Sequence, residues 1–344
     1  MFVGIVFNIL TVLTSNYYYQ SIFSMINQLQ VIMLLPLTGG WFPEVFLDFN
    51  RMVKFTLFSF SEFTEYVMSP IFTAGSWDFD QDNSYLNLIG IISGSTMYNI
   101  LGVIGFVFIL MIVHATFYCF NDLTMEKKGD TKFLRLSHLM ANYLTFSAYI
   151  RLFCLCYIFL FISSYTEMRR LVNRTEHSDS YFFACLVLLG IIGLTVMIYI
   201  KTLKMPNETE ASTAKYTKEL FNCIKQNKLA RSYFPVFLTR RALLVLIALT
   251  FTGGSQTIKL IAFSLIQLAY FGYMVAARPF TRIKDNIGEI MNEGFYLLFI
   301  GLLFLELGNK DWNDTTSLVF MICILVNNIL FTCVALGKHL FLIY

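Results

Sequence analysis

Apolar runs long enough to cross a bilayer recur nine times in this chain, and few architectures can bury that much apolar surface in 344 residues. A helical span needs ~20 mostly apolar residues. The runs cover about 1–14, 18–37, 94–120, 136–164, 181–200, 234–251, 258–277, 286–307 and 316–340. Charged residues make up 14% of the chain and hydrophobic ones 57%, against ~25% charged in soluble domains. The expected fold is therefore all-α: a single transmembrane domain over 1–344, a polytopic helix bundle of about nine spans and not a large soluble core. The basic stripe of a nucleic-acid-binding protein is missing, so no nucleic-acid partner is expected.

The chain starts apolar at Met1, with no positive stretch and no small-residue cleavage pattern before the first polar residues. This is unlike a signal peptide. It reads as a span entered from an upstream segment, so the chain is expected to be the membrane part of a longer protein. Seven cysteines (119, 154, 156, 185, 223, 323 and 333) all avoid the segments assigned to the outside, and no C-x-x-C pair occurs. They are expected to be buried small apolar residues and not a disulfide framework or metal site.

Lys and Arg in the short connections set the expected orientation. The 121–138 connection holds four, 201–233 holds seven, 278–285 holds three, and Lys338 lies near the end of the chain. These regions are separated by even numbers of spans and share the cytosolic side. The 39–88 loop has two basic residues against seven acidic ones and falls outside. The N-terminus is then outside and the C-terminus cytosolic, although Arg169, Arg170 and Arg174 run against the bias. Asn173 and Asn313 open glycan-acceptor tripeptides on the outside, and Asn207 opens one inside.

Within the 39–88 loop, FLDFNRMVKFTLFSFSEF has helical apolar spacing after Pro43. An amphipathic helix at the membrane interface and a buried packing helix are both compatible with it. Asp78, Asp80 and Asp82 lack the glycine and distant Glu of a calcium loop, so a solvated acidic turn is expected. The 201–233 stretch reads as a basic cytosolic loop. Its second half is helical in spacing and suited to lying on the inner leaflet.

Candidate functional residues are the polar ones inside the spans. Glu289 and Glu293 are four apart and share a helical face. Arg151 sits within the fourth run, and Asn27, Gln28, Asn327 and Asn328 interrupt two others. An intramembrane carboxylate faces a partner or water. These residues are expected to form either a polar path or an intramembrane ion pair that fixes helix register. At ~1.5 Å per residue, Glu293 lies about 10 Å from the cytosolic end and Arg151 about 22 Å, so a long Arg151 side chain would close only part of the gap. Arg240, Arg241, Arg278, Arg282 and Lys284 stand at span boundaries, where snorkelling to lipid headgroups is expected. His114 is a lone histidine in an apolar run. No catalytic motif, ligand cluster, metal site or cofactor signature is present, and no enzyme activity is expected.

Four ordered blocks carry a family resemblance: INQLQVIMLLPLTGGWFPEVFLDF at 26–49, YIRLFCLCYIFLFISSYTEM at 149–168, YFPVFLTRRALLVLIAL at 233–249 and RPFTRIKDNIGEIMNEGFYLL at 278–298. Together they resemble the C-terminal membrane region of large ciliate surface proteins with cysteine-rich, growth-factor-receptor-like repeats. A weaker likeness in layout links the chain to fungal TRP-like and flavin-carrier membrane proteins. The resemblance implies a TRP-like membrane protein of the plasma or ciliary membrane that anchors a large extracellular region, with cation conduction as a further expectation. The alternatives are a lipid or small-molecule transporter, and a structural anchor or receptor without transport. Implied partners are membrane lipids, an upstream cysteine-rich ectodomain or other membrane subunits, and further copies of the chain. This chain itself departs from the family in having no cysteine-rich ectodomain.

Overall fold

The computed structural model describes residues 16–38, 42, 44–59, 64, 86, 89, 91, 95–125, 146–172, 181–204, 224–225, 227–250, 256–306, 322 and 326. Helices dominate these residues. In chain order they are α1 (Asn16–Ile32), α2 (Glu44–Val53), α3 (Thr96–Met125), α4 (Phe146–Val172), α5 (Tyr181–Lys204), α6 (Tyr233–Thr250), α7 (Gln256–Ala277) and α8 (Ile283–Glu306). Short 3-10 turns follow α1 at Leu35–Thr38 and α2 at Lys54–Leu57, and one helical turn at Lys228–Arg231 precedes α6.

Six of these helices are long and apolar enough to cross a membrane: Thr96–Cys119, Ala148–Arg169, Tyr181–Thr202, Tyr233–Thr250, Gln256–Ala277 and Ile283–Phe304. They match the expected third to eighth runs. The chain is therefore an all-helical, multi-pass integral membrane protein. The expected second run becomes α1 and its 3-10 turn, and the apolar part of that helix, Phe23–Thr38, is shorter than a full span. The first run, nearly all of the ninth, the acidic turn at 78–82 and the three glycan tripeptides lie outside the described residues.

Local chemistry explains the ends. Helix α7 stops where Arg278 turns left-handed, at φ 41°, with its N–H donating to the Met274 carbonyl at 3.1 Å. Pro279 follows and cannot continue a helix. Asn286 holds the connection to α8: its side-chain amide donates to the Phe280 carbonyl at 2.7 Å and its oxygen accepts from the Phe280 N–H at 3.0 Å. The turn before α6 is capped by Asn227, whose side-chain oxygen accepts from Ala230 N–H at 2.7 Å.

Helix α4 packs against α3, α5 and α6, and α6 also against α5 and α7, while α8 packs on α7 and α1 and α3 also touches α5. Helix α8 presents Asn286, Glu289, Asn292, Glu293, Tyr296, Phe299, Ile300 and Leu303 inward, which is the three-and-four spacing of one helical face.

The segment after α1 packs one face into the bundle. Phe46 on α2 is buried and stacks on Phe299 of α8, with ring centroids 5.5 Å apart. In the following turn Thr56, Leu57 and Phe58 are fully buried. The Thr56 carbonyl accepts from Gln30, whose amide also donates to Leu155 inside α4. Non-helical backbone at such depth is tolerated because protein groups satisfy its carbonyls. Helix α2 itself is two-faced: Phe46, Phe49 and Val53 are buried, while Glu44, Asp48, Arg51 and Met52 are exposed.

Candidate functional site

Polar side chains from α1, α6, α7 and α8 meet at mid-depth. Arg240 is the eighth of 18 residues in its candidate span, Gln267 the twelfth of 22 and Glu293 the eleventh of 22. Helix α7 runs antiparallel to its neighbours. Counted from the common end at ~1.5 Å per residue, all three lie about 10–15 Å in. A lone charge at the centre of a bilayer costs about 3 kcal/mol by insertion scales, so each must be matched inside the protein.

Glu293 has its match in Arg240. The guanidinium is bidentate, Nη1 to Oε1 and Nη2 to Oε2, each at 2.8 Å. Both residues are 3% exposed. This planar fork on a carboxylate is the geometry that makes arginine the preferred partner for a buried pair. Gln267 of α7 donates to Glu293 Oε2, and Asn27 of α1 donates to Oε1 at 3.4 Å. The Arg240 guanidinium also covers the Tyr270 ring, 4.2 Å from its centroid.

Arg241, the next residue, looks the other way. Adjacent helical side chains diverge by about 100°, so Arg241 faces α1 and α4 while Arg240 faces α7 and α8. Its bonded acceptors are neutral: Asn27 Oδ1 at 3.1 Å from Nη2, Gln30 Oε1 at 2.6 Å, and the Cys154 carbonyl. Its guanidinium lies 4.2 Å from the centroid of the Phe237 ring. Asn27 is the hinge between the two arginines, accepting from Arg241 and donating to the carboxylate that holds Arg240.

Glu289, one turn before Glu293, is bonded by hydroxyls. Ser24 Oγ donates at 2.6 Å and Tyr233 Oη at 3.1 Å. Asn292 donates to Ser24 Oγ at 2.6 Å, and Gln28 donates to the Asn292 carbonyl at 3.2 Å. Tyr296 donates to the Val31 carbonyl at 3.4 Å. Helices α1 and α8 are thus laced by side chains from Ser24 to Val31 of α1. Three buried atoms beside the ion pair, Arg240 Nε, Gln267 Oε1 and Tyr270 Oη, have no protein partner.

The expected residues are distributed unevenly. Glu289, Glu293, Asn27 and Gln28 come together in this network. Arg151 is buried at 1% exposed on α4, but the bidentate partner of Glu293 is Arg240 and not Arg151. Arg240 and Arg241 do not reach headgroups: they are 3% and 0% exposed. Their span begins at Tyr233, which puts them two helical turns inside, with acceptors supplied by neighbouring helices. Arg278 and Lys284 are exposed and Arg282 half-buried at the end of the bundle, where headgroup contact was expected. Asn327 and Asn328 lie outside the described residues. Ser24, Tyr233, Gln267, Tyr270, Asn292 and Tyr296 were not expected. Spacing was the available signal: Ser24, Asn27 and Gln28 stand at i, i+3, i+4, and Tyr233, Arg240 and Arg241 at i, i+7, i+8.

Comparison with protein-family models, curated proteins and solved structures finds no match.

Proposed function

We propose that this chain is the membrane-embedded anchoring domain of a larger cell-surface protein, with nine spans, an outside N-terminus and a cytosolic C-terminus. The buried mid-depth network carries this reading. Both oxygens of Glu293 are engaged by Arg240, and the joined side chains of α1, α6, α7 and α8 are at most 5% exposed. A hydrated ion path needs polar groups open to water, whereas this arrangement locks four helices in one register. The resemblance to the membrane regions of ciliate cysteine-rich surface proteins supports an upstream ectodomain and a plasma or ciliary membrane setting. The domain itself carries no catalysis in this reading.

Transport is the second reading, and one observation favours it. Arg240 Nε, Gln267 Oε1 and Tyr270 Oη are buried at mid-depth without protein partners, as they would be around a hydrated site that opens in another state. A TRP-like cation path, in a symmetric assembly of copies, or a lipid or small-molecule carrier would use it.

Flux through the full chain in liposomes under defined cation gradients separates the two. The anchoring reading predicts no flux in wild type and lowered stability in Glu293→Gln. Cation flux in wild type that Glu293→Gln abolishes, with the protein still folded, would replace it with the transport reading. External labelling of introduced cysteines tests the topology: reaction near Asp80 and none near Lys204 is expected, and the reverse would overturn the orientation.

A further inference from the structure

The fork on Glu293 uses both Nη atoms of Arg240. The third nitrogen, Nε, is left at the side of the guanidinium, buried and without a protein acceptor. Gln267 has the opposite remainder. Its amide nitrogen donates to Glu293 Oε2, the oxygen that also accepts from Arg240 Nη2. A carboxylate can accept only from that nitrogen. The amide oxygen, Oε1, is therefore the atom left over, and it is buried without a donor. Tyr270 stands one helical turn further along α7, with the Arg240 guanidinium 4.2 Å from its ring centroid. Its hydroxyl is the third buried atom without a partner. Gln267 is 0% exposed, and Arg240 and Tyr270 are 3% exposed.

These three remainders define what would satisfy them. Arg240 Nε–H can only donate, Gln267 Oε1 can only accept, and the Tyr270 hydroxyl can do either. A metal cation or an ammonium group would meet Nε–H with like charge and offer it no lone pair. A halide would accept from Nε–H but has no proton to give Oε1. A neutral molecule that both accepts and donates suits all three, and water is the smallest. Buried water typically makes ~3 hydrogen bonds to polar groups that otherwise have no partner.

We propose that one water molecule is resident between α6 and α7, accepting from Arg240 Nε–H, donating to Gln267 Oε1 and making its third bond to Tyr270 Oη. The proposal rests on the locked network of the anchoring reading and adds a bound molecule to it. The water gives the three atoms partners within the locked state, so they call for no second, hydrated state. It also ties α6 to α7 beside the Arg240–Glu293 pair.

The test uses the full chain with isotope-labelled arginine in lipid bilayers. Solid-state NMR reads magnetisation transfer from water to each arginine Nε–H. Loss of the signal in Arg240→Met with Glu293→Leu assigns Arg240. Arg241, whose Nε donates to Asn27 Oδ1 at 3.3 Å, and the exposed Arg278 serve as internal references. Wild type is expected to show transfer at Arg240 and Arg278 and none at Arg241. Tyr270→Phe keeps the ring and removes one of the three partners, so transfer at Arg240 should fall about fivefold. Transfer at Arg278 with none at Arg240 in wild type would overturn the water and leave the network locked without it. An Arg240 signal unchanged in Tyr270→Phe would overturn the three-partner site. Equal transfer at Arg240 and Arg241 would mark a continuous water path, overturning the single site and the anchoring reading together.

Discussion

Helices α4 and α5 each offer a candidate span of 22 residues, yet 72% of the most apolar stretch of α4 is buried inside the protein and only 17% of that of α5. Helix α5 is the more apolar of the two and shows Phe182, Leu189 and Met197 outward. Helix α4 hides Arg151, Ser163, Ser164 and Glu167. In a soluble protein the more apolar helix would be the inner one. Here lipid accepts apolar side chains as readily as the core does, so the interior is chosen by what lipid refuses. Charges, amides and hydroxyls go inward, where other helices can bond them. The contrast extends to the whole bundle: α1, α6, α7 and α8 are joined by polar side chains, while most of the apolar stretch of α5 lies outside the protein core.

This contrast predicts a graded response to substitution, measured as unfolding of the purified chain in detergent. The largest effect should follow from removing one member of the buried pair. Arg240→Ala or Glu293→Ala leaves a charge without its partner and should cost about 3–5 kcal/mol. Replacing both by apolar residues of similar volume, Arg240→Met with Glu293→Leu, should recover most of that loss. If the double replacement is as damaging as either single one, the interior is not organised by charge matching.

Next comes Arg241→Met, which strands the acceptors on Asn27, Gln30 and Cys154. A cost of about 2–3 kcal/mol is expected from the unsatisfied groups. Tyr233→Phe and Ser24→Ala each remove one hydroxyl from Glu289 and should cost about 1 kcal/mol. On the lipid face, Leu189→Ala should change stability by less than about 0.5 kcal/mol. A loss there comparable with the Arg241 variant would mean that α5 packs on something other than lipid.

The sequence made the helical class and the positions of the six candidate spans legible, because apolar runs of bilayer length have few other uses. It also made Glu289 and Glu293 stand out, since carboxylates four residues apart in an apolar run have to share a face. Asn27 and Gln28 were legible as amides in an apolar run, which need partners inside the bundle. The arginines were not. Arg240 and Arg241 follow a polar loop, and a boundary arginine and an interior one look alike until the start of the helix is known. Placing that start at Tyr233 moves both inside. Nor could one chain's pattern reveal that two adjacent arginines serve different helices, because that depends on which neighbours flank α6. The burial of Thr56 to Phe58 was hidden too: it depends on Gln30 and Leu155, 26 and 125 residues apart from their bonding partners in sequence. Short-range spacing reads helix faces, and the partners across those faces come from tertiary packing.

Arg240 and Glu293 act as one buried unit that links α6 to α8 through their side chains. A double-mutant cycle on Arg240→Met and Glu293→Leu, read by unfolding of the full chain in detergent, tests it most directly. The double variant is expected to be more stable than the sum of the single losses by at least about 2 kcal/mol. Additive losses would contradict it and leave the two residues as independent neighbours.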